Sequence, residues 1–234
     1  MEANVAHFRD RISKSLRTSR LAILCEVVAV LLFAKVTMHI GRLAGGDWSP
    51  TMIASSVVLL GISGLLLFRH SWWTDYGMKS PKSWFRTLGS AILLVIINNV
   101  VNALLVALWT ILHGEPYKSI FDTMVVKKES LIWILVVTWT VAAFGEEMFF
   151  RGYLLNRVAD VFNHRKVGLT VGVLASSSVF GLMHSYQGYV GVLLCCATGL
   201  VFGIGYIRVR FNLWVPIFAH GIYDTMFVLT HYSG

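Results

Sequence analysis

Between residues 21 and 230 the chain repeatedly runs close to twenty residues with hardly a charge, and that pattern limits what it can fold into. Apolar stretches cover 21–40, 51–68, 88–112, 131–161, the segment from the 163–166 turn to 184, 188–207 and 213–230. Each approaches or exceeds the roughly 18 to 20 residues a helix needs to cross a hydrocarbon core. No water is available there to satisfy bare backbone, so only helices or closed barrels span, and the period-2 alternation of a barrel is absent. Charged residues make up 14% of the chain against about a quarter in globular domains. Mean hydropathy is +0.68. The expectation is an all-α, polytopic transmembrane helical bundle of about seven spans, or eight counting an interfacial helix.

The net charge of +8 does not describe a nucleic-acid surface, because its cations sit at helix ends. Arg9, Arg11, Lys14, Arg17 and Arg20 precede the first apolar run, and richer loops then alternate with poorer ones. That bias places the N-terminus in the cytoplasm; Lys127-Lys128, on the expected outer side, runs against it. The run over 21–40 is too long for a signal-peptide core, carries Glu26 and Lys35, and lacks a small-x-small cleavage site, so it reads as a retained helix. Three parts follow: a basic cytoplasmic segment 1–20, a three-helix membrane scaffold 21–130, and a four-helix core 131–234. The stretch 69–87, with its tryptophans among cations, reads as an interfacial loop or short surface helix. Asn98, Asn99 and Asn102 read as amides that hold helices together. Cys25, Cys195 and Cys196 have neither metal-ligand spacing nor a disulfide framework, and read as small packing residues.

The core holds the residues with chemistry. Its first helix carries Gly145-Glu146-Glu147-Met148-Phe149-Phe150-Arg151-Gly152. Glu147 and Arg151 are i,i+4 neighbours with the acid N-terminal, which pairs them. Glu146 is rotated about 100° away and has no such partner, so it is free to act as a base on water. His184 ends the next run, in Phe180-Gly181-Leu182-Met183-His184. It lies 19 residues after Arg165 and Glu146 lies 19 before it, so an antiparallel hairpin sets the two level. His220 and Asp224 share a face of the last helix. Their depth fits less well: His220 is about 12 Å above its turn and His184 about 25 Å above its own. Ionisable groups inside a membrane are functional by default, and five of them in three apolar helices suggest one site. Glu146 with His184 could activate water, and His220 oriented by Asp224 could meet an oxyanion, which is what amide hydrolysis requires. No G-x-S-x-G or H-E-x-x-H occurs, yet these side chains have the atoms to hold zinc, so a zinc protease stays open here.

Three blocks in this order, EEMFFRGYLL, SSVFGLMHS and LWVPIFAHGIYD, resemble the CPBP intramembrane proteases, the CAAX-processing and bacteriocin-processing (Abi) enzymes. The family pattern is E-E-x-x-x-R, F-x-x-x-H and H-x-x-x-N or a similar polar residue. Glu146, Glu147 and Arg151 match the first block, Phe180 and His184 the second, and His220 with position 224 the third. The resemblance covers roughly 130–230. It implies a glutamate-type endopeptidase with no metal or cofactor, in which Glu146 and His184 activate water. His220 and residue 224 would form the oxyanion site, supported by Glu147, Arg151 and Phe180. Asp224 departs from the usual Asn; an ionised Asp would repel an oxyanion, so it is expected to orient His220 or to be protonated. The expected partners are a peptide or lipidated-protein substrate and membrane lipid, in a multi-pass protein of a prokaryotic plasma membrane. A non-catalytic immunity or regulatory protein of the same fold is the other alternative. A proton-coupled transporter is disfavoured, since inverted repeats and broken helices are absent.

Overall fold

The computed structural model describes residues 19–43, 49–119 and 126–233, with Ile12 and Ser15 ahead of them. Most of the basic segment 1–20 therefore lies outside the described residues. The long apolar runs are all helices: α1 Arg20–Leu43, α2 Ser49–Phe68, α3 Trp84–His113, a composite α4 opening as Lys128–Val137, α5 Lys166–Met183, α6 Gly188–Arg208 and α7 Trp214–Thr230. A parallel two-residue pairing joins β1, Val126–Lys127, to β2, Tyr232–Ser233. Large apolar side chains face outward along the helices, as in Leu32, Leu60, Ile96, Ile132, Leu174 and Leu193. The protein is an integral, multi-pass membrane bundle. Among the described residues, five helices are long and apolar enough to cross a bilayer (α1, α3, α4, α5 and α6). The apolar part of α2, Ile53–Phe68, is shorter, and α7 has 17 residues and carries both His220 and Asp224.

Helix α4 is the central element, packed against α1, α2, α5, α6 and α7, while α3 lies outside against α6 and α7. It is not regular. After Val137 it continues as two i→i+5 wound stretches, Thr138–Glu146 and Met148–Leu155, before closing as an α-helix over Asn156–Asp160. Such winding is rare and recurs at functional sites, because the wider turn re-aims side chains that an α-helix would stack. Asn156 Nδ2 donates to the carbonyls of both Arg151 and Gly152, collecting acceptors where the winding reverts. Every side chain over Met148–Leu155 is buried.

Glycines bring α5 against its neighbours. A Cβ on Gly172 would lie 2.5 Å from the Leu155 carbonyl oxygen, and one on Gly181 would collide with Cys196 Sγ and the Val192 carbonyl. Between helices in lipid, close backbone approach replaces the hydrophobic drive available in water. Gly172→Ala is accordingly expected to lower stability by about 1–3 kcal/mol. Gly64→Ala, which meets nothing within 4 Å, should be neutral or slightly stabilising in the same unfolding titration.

One end of the bundle holds a polar network that sequence spacing does not reveal. Glu26 on α1 is buried and accepts from Arg157 Nε and Nη2, each at 2.7 Å, from Arg69 Nη1 at 3.0 Å and from Tyr153 OH at 2.9 Å. Arg157 also reaches Asp160 at 2.8 Å. Arg69 and Arg157, which lie near helix ends in the sequence, are buried ion-pair partners rather than free loop cations, while Lys35 stays exposed. The short helix within 69–87 is a 3₁₀ turn, Trp73–Tyr76, and it is tucked in rather than lying on the surface. Trp73 and Tyr76 are buried, Arg69 donates to Tyr76 OH, and burial pushes that phenol above its usual pKa.

This turn also removes the depth mismatch at His220. Leu213 N donates to the Gly77 carbonyl at 3.1 Å, and a Cβ on Gly152 would touch Leu213 and Trp73. Helix α7 thus starts beside Gly152, well inside the level of the α4–α5 turn. Seven residues of rise from Leu213, roughly 10 Å, then bring His220 to the height of Glu147.

Candidate active site

The wide winding of α4 carries Glu147 and Arg151 into the interior, where both are essentially without exposure. Arg151 Nη1 donates to Glu147 Oε1, its guanidinium lies over the rings of Phe180 and Phe202 at 4.9 and 5.4 Å, and Nη2 reaches the Gly199 carbonyl. A guanidinium between two ring faces keeps attraction without water. Phe202 was not singled out in the sequence, since nothing in an apolar run distinguishes one ring from another.

Glu147 is more than Arg151's partner. Its Oε1 also accepts from His220 Nδ1 at 2.8 Å. The far nitrogen, Nε2, stands 3.4 Å from Asp224 Oδ2. The sequence reading gave the orientation of His220 to Asp224; in the structure the shorter contact is with Glu147, across the helix interface. A carboxylate only accepts, so Nδ1 carries a hydrogen. Asp224 is about a third exposed, so it sits at the rim of the cluster.

His184 follows the last residue of α5 and closes it: Nδ1 lies 2.8 Å from the Phe180 carbonyl. A carbonyl has no proton to give, so Nδ1 is the donor and Nε2 of the neutral ring is left as an acceptor. Phe180 holds both imidazoles, with ring centroids 4.7 Å from His184 and 6.2 Å from His220.

Glu146 is half-buried, and its Oε2 has no hydrogen-bond partner among the described residues. His184, His220, Asp224 and Glu147 all act electrostatically on its carboxyl group. Three helices therefore bring Glu146, Glu147, Arg151, Phe180, His184, His220 and Asp224 to one place. Among the described residues no group of three or more His, Cys, Asp or Glu side chains is arranged to hold a metal ion.

The wall behind α7 is also ordered. Trp139 packs on Gly221 and donates from Nε1 to Thr225 Oγ1 at 3.1 Å. Asn102 of α3 donates to Thr198 Oγ1 at 3.1 Å and reaches Tyr223 OH at 3.5 Å, tying α3 to α6 and α7. Asn99 instead bonds its own helix at the Val95 carbonyl. The joining role read from the three asparagines falls to Asn102.

Comparison with known proteins gives this arrangement its context. Residues 128–226 match the family model described as type II CAAX prenyl endopeptidase Rce1-like, a region running from the start of α4 into α7. The chain is also 31% identical over 117 residues to YdiL of Bacillus subtilis (strain 168), a protein named as a membrane peptidase. That match covers 50% of this chain and 43% of the relative, so the chain spans less than half of that protein's length. No solved structure matches. The helices that assemble the glutamates and histidines are the ones the family model covers, and over them the chain is similar to the Rce1-like type II CAAX prenyl endopeptidases.

Proposed function

We propose that this protein is an intramembrane endopeptidase that hydrolyses a peptide bond in a membrane-associated or lipidated protein, using Glu146 as its base. The observation that carries the reading is the division of labour between adjacent acids. Glu147 Oε1 is taken by Arg151 and His220, while Glu146, beside two histidines, has no ion-pair partner among the described residues; Oε2 is unpartnered in both acids. In the proposed reaction Glu146 takes a proton from a water that His184 Nε2 helps to hold. The water oxygen bonds to the scissile carbonyl carbon, and the oxyanion is met by the N–H of His220. As the C–N bond breaks, Glu146 returns the proton to the leaving amine. Donors pre-set toward developing charge are the largest catalytic contribution in sites of this kind, and Glu147 pre-sets His220.

Asp224 has a subordinate part here. It faces the nitrogen that would serve the oxyanion, and its charge competes for that N–H. Asp224→Asn is therefore expected to keep turnover at or above the wild-type level, measured as initial rate on a cleaved peptide; a loss of about 10²-fold or more would make the Asp224 charge essential.

The decisive experiment is terminal-peptide mapping of membranes expressing the wild-type or the Glu146→Gln chain. New termini that depend on Glu146 are the expected result. Identical termini in both would favour the non-catalytic, immunity or regulatory reading. A zinc-dependent protease using the same residues predicts stoichiometric zinc in the purified protein and loss of cleavage in chelator, whereas the reading adopted here predicts cleavage unaffected by chelator.

A further inference from the structure

At the end of the bundle that holds the start of α1 and the α4–α5 turn, a pocket of about 800 Å³ opens between the first turns of α3 and the α6–α7 turn. Lys79, Lys82, Arg86, Arg208 and Arg210 line it, with no acid among the lining residues. None of the five is ion-paired among the described residues. This sets them apart from Arg69, Arg151 and Arg157, which are each matched to a carboxylate.

The walls of the pocket are built. Asn212 Nδ2 donates to Thr87 Oγ1 at 3.0 Å, Thr87 Oγ1 donates to the Ser83 carbonyl at 3.0 Å, and Leu213 N is bound to the Gly77 carbonyl. The α6–α7 turn holds Arg210 and Phe211 in consecutive left-handed conformations (φ 58° and 60°), which side chains rarely adopt and which these cross-links sustain. Segments more than a hundred residues apart in sequence are thereby locked into one basic cup.

The helices above the cup continue it with a different chemistry. On α3, Arg86 and Ser90 line the pocket, and Leu93 and Ile97 follow on the same helical face, both exposed. On α6, Ile204 is exposed one turn deeper than Arg208. A cation cluster with lipid-facing apolar side chains one to two turns deeper fits an amphiphile with an anionic head and an apolar tail. The geometry points to a binding site for an anionic phospholipid, its phosphate held by Arg86, Arg208 and Arg210 and one acyl chain lying along Leu93, Ile97 and Ile204. Guanidinium forks match phosphate oxygens bidentately, and basic pockets between helices are sites for lipid head groups.

The test uses the full chain in nanodiscs of phosphatidylcholine mixed with phosphatidylglycerol, with retained lipid counted by native mass spectrometry. Wild-type protein is expected to keep phosphatidylglycerol preferentially. Arg86→Gln with Arg208→Gln should weaken that retention roughly 30-fold, each cation near the surface contributing about fivefold. Both side chains are exposed and unpaired, and an unchanged melting curve in phosphatidylcholine alone checks that the variant is folded. Arg165→Gln with Lys166→Gln removes the same charge from the same end, away from the pocket, and should retain the lipid. An equal loss in that control would reduce the effect to general surface attraction and overturn the proposal. Glycerol phosphate or inorganic phosphate displacing the lipid as effectively as short-chain phosphatidylglycerol would show that the apolar wall contributes nothing, and would overturn the lipid assignment.

Discussion

Glu146→Gln should leave a folded protein whose peptide-bond turnover is lower by about 10²- to 10⁴-fold, the contribution of a positioned general base. The substitution is nearly isosteric, and the affected Oε2 has no partner to lose among the described residues. Thermal unfolding in detergent should therefore shift little. Glutamine cannot take the proton from water or return it to the amine, so kcat falls while KM is held. Turnover within about threefold of wild type would remove Glu146 from the chemistry. A collapse of the melting transition would show instead that the carboxylate is structural.

How much of this was legible in advance differs from residue to residue. The helices were, because a bilayer leaves the backbone few choices and the apolar runs mark their ends to within about four residues. The Glu147–Arg151 pair was, because i,i+4 spacing is local. Level placement of Glu146 and His184 is what counting to one turn predicts. His220 could not be placed that way. Its height depends on where α7 begins, and that is set by Leu213 bonding Gly77 in a turn 136 residues earlier. For the same reason the His220–Glu147 contact was invisible and Asp224, the neighbour in sequence, was given its role. Arg69 and Arg157 misled in the opposite direction. A cation near a helix end looks like an orientation signal until its partner, here Glu26 on another helix, is known. The wide winding of α4 has no sequence signature in apolar periodicity.

Replacing Glu147 with Leu is expected to have two separable consequences, and a second substitution can pull them apart. Removing the carboxylate leaves Arg151 buried and unpaired, which should cost about 3–5 kcal/mol of stability. It also strips His220 Nδ1 of its acceptor at 2.8 Å. Adding Arg151→Met removes the stranded charge and puts a flexible apolar chain between Phe180 and Phe202, where sulfur packs well against rings. Hydrophobic replacements for a buried ion pair are often neutral or better, so the double variant should regain stability to within about 1–2 kcal/mol of wild type. Turnover should not follow. With nothing to hold the imidazole, the oxyanion donor is no longer pre-set, and a deficit of about 10²- to 10³-fold should persist in the well-folded double variant. Unfolding midpoints and kcat measured on the two single variants and the double decide the matter. Recovery of both quantities together would make Glu147 a packing partner of Arg151 alone. Recovery of stability without rate would identify Glu147 as the residue that aims His220, a role separate from its pairing with Arg151.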